Sequence, residues 1–259
     1  INHNRNFNYR SYFKQEFNDT QYISQYIQKG FQLSSAQNFL KTYISEDTPY
    51  NGVLVIHGVG LGKTCTGISI AENFKNRVKS DNKKIHILTP SSVLEETWRN
   101  EIFNISKEKS KTSENQDINT QCTGTFYSDF YNNLTGLTDK GKKNKVNNFI
   151  NEYYEIKGYQ TFVNTIKKRT KDYQQKYPSL SYEAAQLQYI KKTYSNSVFV
   201  MDEVHMTRLG GNDNKNKIAP PYLELIVRYC ENVKIVLLTA TPIFDKSTEI
   251  LWLLNLLLW

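Results

Sequence analysis

Gly52-Val-Leu-Val-Ile-His57 runs straight into Gly58-Val59-Gly60-Leu61-Gly62-Lys63-Thr64, and Cys65 follows in a stretch reaching Phe74. The first six residues form a short continuous apolar run, suited to a strand buried on both faces of a parallel sheet. The glycines let the backbone take φ > 0 and bring its N–H groups within reach of phosphate oxygens. A helix over Lys63 to Phe74 adds about half a positive charge at its N-terminus, where the anion sits. Lys63 is then a point charge for the β- and γ-phosphates, and the Thr64 hydroxyl a ligand for Mg2+. The general pattern G-x-x-x-x-G-K-[ST] wants a glycine where this chain has His57. An ordinary glycine-rich turn is the bland alternative; the strand-to-helix context argues for the phosphate loop. Its expected contacts are Gly58, Val59, Gly60, Leu61, Gly62, Lys63, Thr64 and Cys65.

Outward from this loop the pattern repeats. Lys84–Thr89 reads as a strand and Ser92–Ile102 as a helix; Ser197–Met201 and Val233–Leu238 read as strands, Tyr222–Cys230 and Ser247–Leu258 as helices. Strand alternating with helix means a mostly parallel sheet covered on both faces, an α/β fold. Upstream, Ala36, Phe39, Leu40 and Tyr43 recur at helical spacing over Ser34–Ile44. Residues 105–148 are rich in Lys, Asn, Ser and Thr and read as an insertion or mobile loop. Two Lys-rich helices are expected after it, near Tyr159–Tyr177 and Tyr182–Tyr194.

The strand Val198-Phe-Val-Met201 delivers Asp202-Glu203-Val204-His205 at its C-terminal end. Open α/β sheets bind ligands in the crevice beyond their strand ends. Asp202 suits a magnesium ion held through its water shell, and Glu203 suits orienting and deprotonating an attacking water. Any solvated strand end can carry Asp-Glu; a phosphate loop in the same sheet favours the metal reading.

In order, Gly60-Leu-Gly62-Lys63-Thr64, Asp202-Glu203-Val204-His205 and Leu238-Thr239-Ala240-Thr241-Pro242 resemble motifs I, II and III of the first RecA-like domain of superfamily 2 helicases and translocases, with motif II of the DExH type. The resemblance implies a RecA-like P-loop fold, ATP and Mg2+ as cofactors, and catalytic roles for Lys63, Asp202 and Glu203. It also implies that His205, Thr239, Ala240 and Thr241 link the ATP state to domain closure. Leu33-Ser-Ser-Ala-Gln37 is similar to an upstream glutamine motif in which Gln37 reads adenine; a surface glutamine on a helix is the rival reading. Thr89-Pro90-Ser91-Ser-Val-Leu94 to Trp98 resembles motif Ia, where a strand-end loop and helix N-terminus grip a nucleic-acid phosphate, with Thr89, Pro90 and Ser91 the expected contacts.

Finer cues are Thr48-Pro-Tyr-Asn-Gly52, Gly158-Tyr-Gln-Thr-Phe162 and Thr241-Pro-Ile-Phe. They resemble the nucleoside triphosphatases and early transcription factor helicases of poxviruses and other large DNA viruses, a Swi/Snf-related branch. That implies DNA in preference to RNA, transcription machinery as a partner, and host cytoplasm and virion as the location. In this family the nucleotide lies against a second RecA-like domain, absent from this chain, which supplies an arginine. The 259 residues alone are then expected to hydrolyse ATP weakly or not at all.

The 259 residues carry 33 Lys and Arg against 25 Asp and Glu, a net charge of +8 that favours a polyanionic partner. Most of it falls in residues 141–180, with Lys142, Lys143, Lys145, Lys157, Lys167, Lys168, Arg169, Lys171 and Lys176 against Glu152, Glu155 and Asp172. Tyr153, Tyr154, Tyr159, Tyr173 and Tyr177 are interleaved, as in phosphate contacts with stacking partners. Lys167, Lys168 and Arg169 are the expected contacts, against a solvated helix face with structural tyrosines.

Cys65, Cys122 and Cys230 suggest no paired framework, so an intracellular, reducing compartment is expected. The scattered histidines His3, His57, His86 and His205 make a structural zinc site improbable. The most apolar stretch, Leu251–Trp259, is too short to span a bilayer. Opening on Ile and closing on Leu-Leu-Leu-Trp, the chain reads as a fragment: residues 1–50 an N-terminal extension, 51–259 a RecA-like domain with 105–195 as insertion and basic helical region. The rival functions are a non-catalytic scaffold or transcription-factor subunit keeping the fold, and another P-loop phosphotransferase.

Overall fold

The computed structural model describes residues 30–58, 60–111, 119–207, 218–243 and 249–258. In chain order the elements are α1 (Ser35–Tyr43), β1 (Gly52–Ile56), α2 (Lys63–Glu72), α3 (Lys75–Ser80), β2 (Ile85–Thr89), α4 (Leu94–Ile102), α5 (Ile105–Lys109), α6 (Phe126–Asn132) and α7 (Asp139–Tyr153). Then come β3 (Tyr154–Gly158), α8 (Tyr159–Lys176), α9 (Tyr182–Tyr194), β4 (Val198–Met201), a 3-10 turn (Val204–Thr207), α10 (Pro220–Tyr229), β5 (Lys234–Thr239) and α11 (Glu249–Leu258).

The strands form one parallel sheet in the order β1-β5-β4-β2-β3. The inner strands β2, β4 and β5 are buried at every residue, including the polar His86, Thr89, Lys234 and Thr239 at or near their ends. Because side chains alternate across a strand, the sheet serves two cores. Ile85, Ile87, Val198, Val200, Val236 and Leu238 pack with Ile68, Phe74, Trp98, Tyr127 and Ile150 from α2–α7. Leu88, Phe199, Met201, Ile235 and Leu237 pack with Phe162, Ile166, Ile190, Leu223 and Trp252 from α8–α11 on the other face. The exit of β1 therefore leads to one layer, and those of its neighbour β5 and of β4 beyond it to the other. Their C-terminal ends part around a crevice.

One reading is corrected here, and one unassigned segment turns out to be a strand. Residues 105–148 are not a mobile loop: the described part holds α5, α6 and most of α7. Tyr127, Tyr131, Val146 and Ile150 enter the core, and Phe130 stacks on Phe149 with ring centroids 4.0 Å apart. Strand β3 is that segment, an edge strand with an alternating pattern in which Tyr154, Ile156 and Gly158 are buried. It was hidden between two helices. The predicted helices Tyr159–Tyr177 and Tyr182–Tyr194 are present to within one residue, the latter capped by Ser181, whose hydroxyl accepts the Ala184 N–H.

Candidate active site

The loop after β1 turns on Gly60 (φ 80°) and Gly62 (φ 76°), left-handed conformations that glycine adopts without a Cβ penalty. Gly62 is the N-cap of α2, so Lys63, Thr64 and Cys65 form its first turn. Val59 lies outside the described residues. Gly58 and Leu61 close the loop, with the Leu61 N–H donating to the Gly58 carbonyl at 3.3 Å.

Across the crevice β4 ends at Met201 and is followed by Asp202. Lys63 Nζ pairs with Glu203 Oε1 and lies 3.5 Å from Asp202 Oδ1, so the cation of the phosphate loop faces both acids. Burial pushes the Asp202 carboxyl up, while Lys63 and the Trp98 indole N–H oppose that rise. Glu203 holds a left-handed backbone (φ 45°), uncommon for a side chain with a Cβ and concentrated at functional sites. His205 Nδ1 lies 2.8 Å from Thr239 Oγ1 and 3.3 Å from Glu203 Oε2. Thr239 Oγ1 also accepts the Thr241 N–H at 3.1 Å. Thr239 thus joins the end of β5 to the acidic turn; Ala240 and Thr241 follow at the rim, Thr241 exposed.

Gln37 reaches this site by a route that sequence reasoning did not foresee. Its Oε1 accepts the Ser34 N–H at 2.9 Å, in a capping box with the Ser34 hydroxyl. Its Nε2 donates to the Gly62 carbonyl at 3.2 Å. In this arrangement Gln37 braces the glycine-rich loop, with one Nε2 hydrogen and one Oε1 lone pair left over.

A family model described as the type III restriction enzyme, res subunit, matches residues 21–244. The chain belongs to this family. Two proteins of Acanthamoeba polyphaga mimivirus named as ATP-dependent RNA helicases are 29% and 31% identical, each over 88% of this chain. A protein of Invertebrate iridescent virus 3 named as a helicase is 28% identical over 86% of it. The chain spans 19%, 33% and 20% of those relatives' lengths, respectively. The Pyrococcus furiosus Hef helicase domain is similar with a TM-score of 0.45 and 19% identity, covering 87% of this chain and 36% of that one. The chain is a helicase-like domain: a RecA-like, mostly parallel sheet with its glycine-rich loop after β1 and its acidic pair after β4.

The other predicted residues of this res-subunit domain divide in two. Thr89, Pro90 and Ser91 end β2 at the same edge of the sheet, with the Thr89 hydroxyl donating to the Ser91 carbonyl at 2.8 Å and Ser91 exposed. Lys167, Lys168 and Arg169 sit exposed on α8, eight to ten residues beyond Tyr159, so about 12–15 Å further along the helix. The basic segment is also less bare than its composition. Lys157 pairs with Glu155 at 2.7 Å, Lys143 with Glu96 at 2.8 Å, and Arg169 with Asp172 at 3.7 Å. Tyr153, Tyr154 and Tyr159 are core residues rather than stacking platforms, whereas Tyr173 and Tyr177 meet each other near the surface, 4.8 Å between centroids.

Cys65 and Cys122 form a disulfide, with Cα atoms 5.6 Å apart, and Cys230 is a free thiol. The expectation of no pair is corrected, and with it goes that argument for a reducing compartment. The bond closes a loop across 57 residues and ties the first turn of α2 to the segment before α6. Cys122→Ser is expected to lower unfolding free energy by about 2–4 kcal/mol in non-reducing urea titrations, and dithiothreitol to do the same to the unsubstituted chain. Equal midpoints for oxidised chain and variant would show that the pair adds nothing.

Proposed function

We propose that this chain is the ATP-binding half of a nucleic-acid-dependent ATPase, a helicase or translocase that hydrolyses ATP with Mg2+ and couples the hydrolysis to movement along nucleic acid. The observation that carries this reading is the meeting of Lys63, Asp202 and Glu203 across the crevice, with Thr64 on the same helix turn. The residues fit the nucleotide and its cation. A Cβ on Gly60 would meet nothing within 4 Å, so the loop leaves open space for phosphate, and a hydroxyl with carboxylates is the hard oxygen donor set that magnesium takes.

Bound there, Mg2+ would neutralise charge across the β- and γ-phosphates. The α2 N-terminus and Lys63 hold the phosphate tail. Thr64 and Asp202 orient the cation, and Glu203 takes the proton of the attacking water. Lys63 must leave Glu203 to do its part, which frees the carboxylate as phosphate arrives. His205, Thr239, Ala240 and Thr241 carry that change towards the second RecA-like domain, whose arginine adds ~10³–10⁵ in rate in comparable phosphoryl-transfer enzymes.

Nucleic acid is the partner, gripped at Thr89, Pro90 and Ser91 and steered by Lys167, Lys168 and Arg169. The sequence cues favour DNA and transcription-linked work inside the cell, in host cytoplasm and virion if the protein is viral. The mimivirus relatives are named for RNA, so both polymers belong in the test. Among the described residues no helix is long and apolar enough to cross a membrane.

A nucleic-acid-stimulated ATPase assay on a longer protein containing the second domain tests the proposal. Stimulation by DNA above RNA is the expected result. Stimulation only by a small phosphate acceptor would mean a phosphotransferase, and no turnover at all a scaffold. Replacing Lys167, Lys168 and Arg169 together is expected to reduce the slope of log affinity against log salt by about 2–3. An unchanged slope would remove this face of α8 from the binding surface.

A further inference from the structure

Asp202 is gripped from behind. Trp98 on α4 is 1% exposed, and its indole N–H donates to Asp202 Oδ2 at 3.1 Å. The other carboxylate oxygen, Oδ1, accepts the Glu203 N–H at 3.0 Å and faces Lys63. Beneath the side chain, the fully buried Tyr159 hydroxyl donates to the Asp202 carbonyl at 2.9 Å, and the Asp202 N–H donates to the Leu88 carbonyl at 2.8 Å. A buried indole N–H needs an acceptor, and any backbone carbonyl would serve. Here it is the carboxylate proposed to orient the metal.

The far edge of the same ring lies against α2. A Cβ on Gly67 would come 3.3 Å from Trp98 Cη2, as well as 2.8 Å from Leu238 Cδ1 and 3.0 Å from Val200 Cγ1. Glycine lets the ring approach. One rigid side chain therefore touches both the helix that presents Lys63 and Thr64 and the acid that faces Lys63.

We infer that Trp98 is a positioning residue for the metal-orienting carboxylate of Asp202, with Tyr159 holding the main chain beneath it; this rests on the ATP–Mg2+ reading of the site. With Oδ2 held by the indole, Oδ1 is the oxygen presented to a cation's water shell beside Thr64. Without the N–H the carboxylate turns about its last torsion and its charge is spread over several orientations. Partners of this kind behind a metal ligand typically contribute ~10–100-fold in metal affinity.

The test is calorimetric binding of a non-hydrolysable ATP analogue to the 259-residue chain with and without Mg2+, comparing the unsubstituted chain with Trp98→Phe. Metal-free affinity is expected to stay within about twofold, while the gain in affinity on adding Mg2+ falls by about tenfold. A purely structural Trp98 would weaken both or neither. Since phenylalanine leaves a void, benzothienylalanine at position 98 keeps the bicyclic shape without the N–H and is expected to show the same loss. A Mg2+-dependent gain unchanged with benzothienylalanine overturns the assignment. Absence of any such gain in the unsubstituted chain overturns the ATP–Mg2+ reading instead, and the assignment with it.

Discussion

Glu203→Gln in the longer, nucleic-acid-stimulated protein lowers kcat by about 10²–10⁴-fold, the range over which a positioned general base acts. The substitution keeps size and one acceptor oxygen but removes the charge that accepts a proton. Because Glu203 pairs with Lys63 in the ligand-free crevice, its neutralisation also frees Lys63 for phosphate. ATP–Mg2+ affinity is therefore expected to hold or rise while turnover collapses. Steady-state ATPase kinetics beside equilibrium nucleotide titration separate the two quantities. Retention of more than a tenth of kcat would exclude Glu203 as the proton acceptor.

Lys63→Ala has the opposite signature. It is expected to weaken nucleotide binding by about 10–100-fold, the equivalent of one charge-assisted hydrogen bond of ~1.5–3 kcal/mol. Two effects act in the same direction. The phosphate tail loses its cation, and Asp202 and Glu203 lose the counter-charge between them, leaving two facing carboxylates to repel an incoming anion. Titration of the 259-residue chain with a fluorescent ATP analogue measures this without need of turnover. Binding within twofold of the unsubstituted chain would place the phosphate elsewhere.

The phosphate loop and acidic strand end were legible because each is a local arrangement. Glycine spacing, a following helix and an apolar strand are all written within about a dozen residues. The same holds for β2, β4 and β5, whose mostly apolar runs favour burial, and for α9, whose cap and periodicity agree. Edge strand β3 was missed although Tyr154-Glu-Ile-Lys-Gly158 alternates as a half-buried strand does, because five residues run directly between two helices without a turn signal to set them apart. Residues 105–148 misled for a related reason. Their anchors are aromatic and sparse among Asn and Lys, and they become a core only when α6 and α7 fold against α2–α4.

By itself, then, the sequence determined the fold class, the order of the motifs and the chemical identity of Lys63, Thr64, Asp202 and Glu203. Backbone geometry and side-chain chemistry at those positions depend on near neighbours. Only the tertiary structure decided how the site is supported: Gln37 against Gly62, 25 residues apart; Cys65 bonded to Cys122, 57 apart; Trp98 against Asp202, 104 apart. Each is a contact between chain segments brought together by the parallel sheet. Sequence spacing carries no information about such meetings, because the geometry that permits them exists only once both layers of helices have closed over the strands.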